Sequence, residues 1–397
     1  MPVARWPATQ PGPARRWKPV GRVPRRDRQV TYRPTLVPRI AHQPLALTSK
    51  TLTVIEQAAL ELRSADERGA TGPAAVPLLR TESSASSKIE QIHIGQRHIG
   101  RALAGLPARQ RAAAEVASNV ATIRAAVDAA KGQITSETFH QLHVTLLPEE
   151  SWAGVARTEQ NWIGGSDYSP RDARYVPPEP KEVVELLDDL ATFTRREDLP
   201  ALAQAAIAHA QFETIHPYPD GNGRVGRALI HLVLRSRSIT LHGIAPVSVA
   251  LLAHHDHYFD QLSAYERGDV ERFVEMFARS CSVAAKLTAL LADDLAAIHD
   301  EWVELPEIAR ARSHATVRKI VGALIEHPVL TAEQAAVRHG ASHEAARRAL
   351  EKLVEIGVLN RTTAARNLHI YEAVEVFDAL ERLEQQAKSL IAAEPPN

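Results

Sequence analysis

Apolar residues recur at intervals of three to four positions through most of the chain, which predicts amphipathic helices. The stretches with this pattern are residues 48–67, 110–131, 182–195, 225–237 and 270–298. Residues 150–165 lack helical periodicity and predict extended backbone. The pattern therefore predicts an all-α domain that carries one short β-hairpin.

The C-terminal region mixes short helices with strands. Its predicted elements are a helix over 315–326, a helix capped by Thr331 and ending at His339, a turn at 340–342, a helix over 343–356 and two strands over 359–371. This order predicts a winged helix-turn-helix domain. The predicted domains are an N-terminal arm over 1–44, the helical domain over 45–312 and the winged helix over 313–397.

The N-terminal arm has a distinct composition. Residues 1–40 carry about ten basic side chains and one acid, Asp27, among many prolines. Proline removes backbone donors and resists helix formation, so we expect an extended or disordered, solvated arm. Contact with nucleic acid or acidic lipid is the alternative.

Charge and cysteine content limit the class of protein. Lys plus Arg and Asp plus Glu both number 47, so no global charge favours nucleic acid or membrane. The single cysteine, Cys281, excludes an intramolecular disulfide and suits a reducing compartment. No apolar run approaches the roughly 20 residues that a membrane helix needs. We expect a cytoplasmic protein.

Residues 216–227 read HPYPDGNGRVGR. An imidazole, a carboxylate, three glycines, an amide and two guanidiniums fall within this short stretch, and few of these groups belong in a core. A base, a metal-binding carboxylate and a glycine-lined anion nest are the parts that nucleotide chemistry needs. The motif predicts an enzyme.

Two other interpretations of the motif fail. A dinucleotide-binding turn needs a strand before the glycines, whereas residues 199–214 are Ala-rich with helical periodicity. A calcium loop needs an oxygen ligand where Arg224 stands. We instead expect His216 to end one helix and a new helix to begin near Arg224, whose first backbone amides form an anion site.

The motif resembles the signature of the Fic family, His-x-Phe-x-(Asp/Glu)-Gly-Asn-Gly-Arg-x-x-Arg. Tyr218 is the one departure, and its hydroxyl requires water or a polar partner. Residues 160–165 with 175–178 resemble the family's flap, and residues 86–90 resemble its inhibitory motif. The resemblance covers roughly residues 30–310. It implies a Fic helical bundle with a short β-hairpin flap and a C-terminal winged helix. Residues 32–38 are expected to pack along the helical bundle.

The resemblance implies a protein adenylyltransferase that moves AMP from ATP to a Tyr, Thr or Ser hydroxyl. His216 would be the base and Asp220 the ligand of Mg²⁺. Tyr258 would line the adenine site, with plain packing as the alternative. The residues implied to hold ATP are Gly221, Asn222, Gly223, Arg224, Val225, Gly226 and Arg227.

An inhibitory helix is implied over residues 81–95. Ser86 and Glu90 are four residues apart and would share one helix face. By resemblance, Glu90 pairs with Arg227 and blocks the γ-phosphate position, while Ser86 orients the pair. Gln91 stands where the family has Gly or Asn, which adopt left-handed backbone more easily. A plain surface helix is the alternative.

Two partners are expected. A target protein would dock on the flap, residues 154–165, by pairing with its open edge. The C-terminal cations Arg347, Arg348 and Lys352 suggest DNA contact. Nearby carboxylates reduce the net positive charge of this segment, so protein docking or a homodimer is an equal alternative. No membrane partner is expected.

Two other functions stay open. Glu90 would position water if the same site removes AMP from modified proteins. Alternatively, the chain is a winged-helix transcriptional regulator whose Fic domain senses a nucleotide. Kinase-type members of the family carry lysine at the position of Gly223, which argues against that branch.

Overall fold

The computed structural model describes residues 5–19, 21–70, 74–107, 111–365 and 368–393. The described helices are α1 Ser49–Ala70, α2 Ala75–Ile89, α3 Gln96–Leu103, α4 Arg111–Ala129, α5 Ser136–Leu146, α6 Val183–Thr194, α7 Ala201–Ile215, α8 Asn222–Ser236, α9 Val247–Ala253, α10 His255–Glu266, α11 Val270–Glu304, α12 Pro306–Ala309, α13 Thr316–Val321, α14 Ala332–His339, α15 His343–Glu355 and α16 Val374–Ala392. The described strands are β1 Gln10–Pro11, β2 Arg15–Arg16, β3 Thr31–Tyr32, β4 Thr35–Leu36, β5 Val329–Leu330, β6 Asn360–Ala365 and β7 Leu368–Glu372.

The chain divides into two compact units that interleave along the sequence. The first unit is Met1–Ala59, Ala121–Ile239 and Asp256–Arg279. The second unit is Leu60–Val120, Thr240–His255 and Ser280–Asn397. Each unit thus combines three separate segments of the chain, whereas each domain predicted from the sequence is one continuous segment. Among the described helices, none combines the length and apolarity needed to cross a bilayer.

Helix α7 lies at the centre of the first unit. Every residue of α7 except Ala201 and Glu213 is buried, as expected for an Ala-rich helix that is apolar on all sides. It packs against α6 and α8, and α5 contacts α6 and α8 in turn. The predicted helices at 182–195, 199–214 and 225–237 are therefore confirmed, and the helix that ends at His216 is almost entirely buried.

The N-terminal arm is folded, so the prediction of a disordered, solvated arm is wrong for the described residues, whereas its short strands have the extended backbone that was the other expectation. Strands β1 and β2 pair antiparallel with β4 and β3 respectively. Trp6 is buried against Tyr265, and this aromatic burial offsets the ordering entropy that the composition suggested would prevail. Packing of residues 32–38 is confirmed, since Thr35 N–H donates to Val176 O at 2.9 Å.

The flap does not form the predicted β-hairpin over residues 154–165. Turns and irregular backbone occupy this segment, and an isolated antiparallel bridge joins Ile163 to Tyr175. Gly154, Gly164 and Gly165 have φ of 75°, 73° and 77°. These left-handed conformations lie at the two ends of the segment, where they turn the chain.

In the second unit, α2 and α16 both pack against α9. The C-terminal elements follow the order α13, β5, α14, α15, β6, β7, and the three strands form an antiparallel sheet ordered β5-β7-β6. Each helix and strand expected there from the sequence is present among the described residues, and α16 is an additional helix. The winged-helix type of this region stays a prediction.

Helix α2 differs from the predicted inhibitory helix over 81–95, which is wrong at both ends. It begins six residues earlier because Pro77 lies in its first turn, where proline is tolerated. It ends at Glu90, the C-cap, and Gln91 adopts a left-handed φ of 63°. The N–H of Ile92 donates to Ser87 O at 3.0 Å and that of Gln91 to Lys88 O at 3.0 Å. This Schellman ending normally favours glycine at the left-handed position.

We expect Gln91→Gly to raise the free energy of unfolding by about 1 kcal/mol, because glycine removes the Cβ strain of the left-handed conformation. Urea denaturation monitored by circular dichroism measures the change. The matched control is Gln385→Gly at an exposed position inside α16, which should instead lower it by about 1 kcal/mol. Destabilisation by both substitutions would contradict the strain at Gln91.

Candidate active site

His216 is the left-handed C-cap of α7, with φ 49° and ψ 61°. Its N–H donates to Phe212 O at 2.9 Å, so the helix closes on this residue. Residues other than glycine rarely adopt a positive φ, and a following proline restricts the backbone further. Such strain persists only where the surroundings hold it, and it is frequent at functional sites.

Arg157 holds the carbonyl groups of this strained residue and of the proline that follows it. Its Nε donates to His216 O at 2.9 Å, its Nη2 donates to Pro178 O at 2.6 Å, and its own N–H donates to Pro217 O at 2.9 Å. The side chain is buried, and desolvation lowers its pKa to about 10. The guanidinium therefore stays charged at neutral pH. The sequence analysis missed Arg157, since one arginine in a polar loop carries no visible signal of burial.

Asn222 closes the motif loop on itself. Its Oδ1 accepts the N–H of Tyr218 at 2.8 Å, and its Nδ2 donates to Tyr218 O at 2.8 Å. Gly221, with φ 78°, is the left-handed N-cap from which α8 begins. The resemblance implies that Asn222 contacts a phosphate. In the structure its side chain instead hydrogen-bonds the backbone of Tyr218 and so stabilises the motif loop.

The hydroxyl of Tyr218 has the polar partner that the sequence required. Tyr218 is fully buried and hydrogen-bonds His140 Nδ1 at 3.0 Å, and burial raises its pKa well above the usual range. Its ring stacks on His143 at 3.8 Å between centroids with an interplanar angle of 3°. The expectation of a partner is confirmed, and both histidines are site residues that the sequence analysis missed.

His143 joins the flap to the motif loop. The N–H of Gly154 donates to His143 Nδ1 at 2.8 Å, so the ring proton is on Nε2, which lies 3.1 Å from Asp220 O and donates to it. Burial lowers the pKa of His143 to about 4. A neutral imidazole is required here, because protonated Nδ1 could not accept the amide of Gly154.

Asp220 lies at the tip of the motif loop, and 71% of its side chain is exposed. Its Oδ1 accepts the N–H of Gly221 at 2.6 Å, and Oδ2 is 3.8 Å from Nη2 of buried Arg224. No cluster of three or more His, Cys, Asp or Glu suited to a metal occurs within the described ranges. One exposed carboxylate fits Mg²⁺, which commonly takes one or two protein carboxylates with phosphates and water.

The N-terminal turns of α8 lie close against α7. Asn222, Gly223, Arg224, Val225, Gly226 and Arg227 are all buried. A Cβ at Gly226 would lie 2.4 Å from Glu213 Oε1 and 3.2 Å from Phe212 Cδ1 on α7. Gly226 therefore permits the close approach of α7, which ends at His216, and α8, which carries Arg224 and Arg227.

Tyr258 is 1% exposed, and its hydroxyl lies 2.8 Å from His209 Nε2 on α7. Desolvation, with a further contribution from the charge of Arg227, lowers the pKa of His209 to about 3. These contacts are those of a packed core residue. The adenine-binding role of Tyr258 stays a prediction.

The remaining predicted residues belong to the second unit. Ser86 is buried inside α2, whereas Glu90 is exposed at its C-terminal cap. Arg347 is 3.0 Å and Arg348 4.0 Å from Glu344, and Lys352 is 3.4 Å from Glu355. The cations expected to contact DNA are thus partly neutralised by their own helix.

A cleft of about 660 Å³ adjoins the motif loop. Its lining includes Trp152, residues 157–162 and 164–167 of the flap, and Pro219 of the motif loop. We call it the flap cleft. It is large enough for several residues of a polypeptide or for a small ligand.

Comparison with known proteins agrees with this geometry. Residues 133–234 match the model of the Fic/DOC family. A protein adenylyltransferase of Caenorhabditis elegans is 33% identical over 127 residues, which are 32% of this chain and 23% of that protein. Protein adenylyltransferase Fic of Nematostella vectensis is 30% identical over 149 residues, which are 37% of this chain and 32% of that protein. The matched segment thus spans less than a third of either relative.

A solved structure of a Fic family protein from Desulfovibrio desulfuricans G20 superimposes with a TM-score of 0.53 at 20% identity. The alignment covers 83% of this chain and 97% of that one. Likeness at this identity shows the shared fold.

We expect Gly226→Ala to lower the free energy of unfolding by about 1–3 kcal/mol, because the added methyl group forces α7 and α8 apart. Chemical denaturation measures the loss. Gly132→Ala is the matched control, since the nearest atom to its added Cβ, Ala129 O, is 3.7 Å away, and its effect should stay within about 0.5 kcal/mol. Equal effects of the two substitutions would contradict the close helix contact.

We expect stability to fall as pH drops from about 6.5 towards 4. In this window the unfolded chain protonates His143 at its ordinary pKa near 6.5, while burial keeps the folded side chain neutral down to about 4. The unfolded state therefore binds more protons, and the free energy of unfolding rises with pH, by up to about 1.4 kcal/mol per pH unit for one histidine. Urea titrations at several pH values should show a smaller slope for His143→Gln. An unchanged slope would contradict the neutral bridge.

Proposed function

Since residues 133–234 form a domain of the Fic/DOC family, we propose that this protein transfers AMP from ATP to a hydroxyl side chain of a target protein. The observation that carries the proposal is the motif loop. His216 ends the enclosed helix α7 under the clamp of Arg157. The glycine-flanked start of α8 follows six residues later, as a base next to an anion site requires.

The chemistry assigned to His216 is general base catalysis. It takes the proton of a target Tyr, Thr or Ser hydroxyl, whose oxygen attacks the α-phosphorus of ATP. The bond from that phosphorus to the bridging oxygen breaks, and pyrophosphate leaves. Imidazole suits this step because its ordinary pKa of about 6.5 is close to working pH, and such a base typically contributes about 10²- to 10⁴-fold.

The triphosphate would lie at the start of α8. The backbone amides of Gly221 to Gly223 and the guanidiniums of Arg224 and Arg227 are the donors, and a planar guanidinium gives bidentate contact to phosphate. Mg²⁺, when bound, would neutralise phosphate charge, and Asp220 is the side chain that would hold it. The exposure of Asp220 and the burial of Arg224 support these different roles.

The target would dock on the flap. Within the described residues, the backbone N–H groups of residues 158–162 donate to no protein acceptor, and we call these residues the flap segment. A row of unused donors favours the addition of an extended chain by main-chain hydrogen bonds. The flap segment lines the flap cleft, whose wall also includes Pro219 of the motif loop.

We propose that Glu90 inhibits AMP transfer. The support is the match of residues 86–90 to the family's inhibitory motif, whose glutamate competes for the last arginine of the catalytic motif, here Arg227. Glu90 is the C-cap within the Schellman ending of α2, so its backbone position is well defined.

The decisive experiment incubates the full chain and a cell lysate with Mg²⁺ and ATP labelled at either the α- or the γ-phosphate. We expect label on protein from α-labelled ATP alone. Glu90→Gly should raise transfer by roughly 100-fold if the restraint is worth about 2.7 kcal/mol, and Glu90→Gly/His216→Ala should abolish it. The matched control is Glu150→Gly, which also removes a glutamate and should leave transfer unchanged.

Each alternative has its own outcome. Label from the γ-position would replace AMP transfer by phosphorylation. Transfer that survives in Glu90→Gly/His216→Ala would remove His216 as the base. No label in any variant would overturn the proposed function.

A further inference from the structure

A second, open cleft of about 530 Å³ lies where the N-terminal arm meets the flap. Its lining comprises residues 15–18 and Tyr32 of the arm together with residues 158–160 and 179–181. We call it the arm cleft. No part of the mechanism uses it, although residues 158–160 also belong to the flap cleft.

The arm is fixed to the flap and to the residues that follow it by buried contacts. Asp27 is fully buried and accepts hydrogen bonds from Ser169 Oγ at 2.6 Å and Arg171 Nε at 3.1 Å. The hydrogen bond from Ser169 is the main cause that lowers the pKa of Asp27. Trp17 packs edge-on against Trp162 with 5.0 Å between centroids. The arm cleft is therefore a defined feature of the first unit.

The charge of the arm cleft is positive. Arg15, Arg16, Lys18 and Lys181 line it together with two acids, Glu159 and Glu179. Glu179 already has two cationic partners, Arg15 at 2.5 Å and Lys181 at 2.8 Å. Arg16 and Lys18 are exposed, and neither forms an ion pair with another residue that the structure describes. Two cations are thus available to an acidic ligand.

The position of the arm cleft identifies that ligand. It continues from the flap cleft across residues 158–160, whose unused N–H groups favour an extended chain. Because the two clefts share residues 158–160, a polypeptide bound along the flap segment would also border the arm cleft, whose lining includes Arg16 and Lys18. Nucleic acid offers no row of carbonyl groups to the flap segment, which makes a protein the better occupant.

We propose that the arm selects target proteins in which acidic residues accompany the modified hydroxyl. The occupant of the arm cleft is an extended acidic segment of the target, held by Arg16 and Lys18 while the flap segment pairs with its backbone. This inference rests on the proposed function, because it names the class of target. Charge complementarity of this kind contributes mainly to specificity and to the rate of association.

The test measures binding, without ATP, to the full chain carrying His216→Ala. The probes are fluorescent peptides with one tyrosine and four glutamates on its N-terminal or C-terminal side, and matched peptides with glutamine. We expect one acidic peptide to bind at least about tenfold more tightly than its glutamine match, with a difference that shrinks at high salt. Arg16→Glu/Lys18→Glu should remove that preference.

The control is Arg22→Glu/Arg25→Glu, which makes the same change in net charge at exposed arm positions outside the cleft lining. It should keep at least half of the preference, and both double variants must keep the wild-type melting temperature. Equal loss in both would overturn the arm cleft in favour of diffuse attraction. Equal binding of acidic and glutamine peptides, or displacement of the acidic peptide by equimolar single-stranded DNA, would also overturn it. The binding test contains no ATP, so its outcome does not depend on whether the protein transfers AMP.

Discussion

The candidate site depends on one buried cation that is satisfied by backbone carbonyls. Arg157 donates to the carbonyls of His216 and Pro178, and its own amide donates to Pro217. A guanidinium presents donors in a fixed fork, so one side chain sets the separation of three chain segments. Burial makes each donor expensive to leave unpaired, which turns these contacts into a strong constraint on the loop. Lysine, with a single flexible ammonium, would not reproduce it.

The rest of the loop is held by mutually consistent polar pairs. Asn222 closes the loop on Tyr218, Tyr218 stacks on His143, and His143 accepts from Gly154 of the flap. The flap and the motif loop therefore share one network, in which a change at either end alters the partners of the other. The structural reason for tyrosine at 218 is its buried hydroxyl bond to His140.

The sequence predicted the elements that local pattern determines. Periodicity placed α7 and α8 on either side of the motif, and the glycines placed the start of α8 within two residues. Local pattern did not predict the features that depend on contacts between residues far apart in the sequence. The burial of Asp27 by Ser169 and Arg171, far along the chain, orders an arm whose composition predicts disorder. Arg157, His140 and His143 likewise depend on contacts with motif residues about 60 to 80 positions away, which no local pattern encodes.

The strain at His216 follows from two requirements that oppose each other. A proposed base such as His216 is positioned well when it stands on a rigid element, and α7 is a helix whose residues are nearly all buried. The loop proposed to bind phosphate must nevertheless begin at once, so the helix has to end at His216 itself. A left-handed residue ends a helix most sharply, and glycine would do so without strain, but glycine has no imidazole. Pro217 then prevents helical continuation. The clamp by Arg157 stabilises the only conformation that meets both requirements.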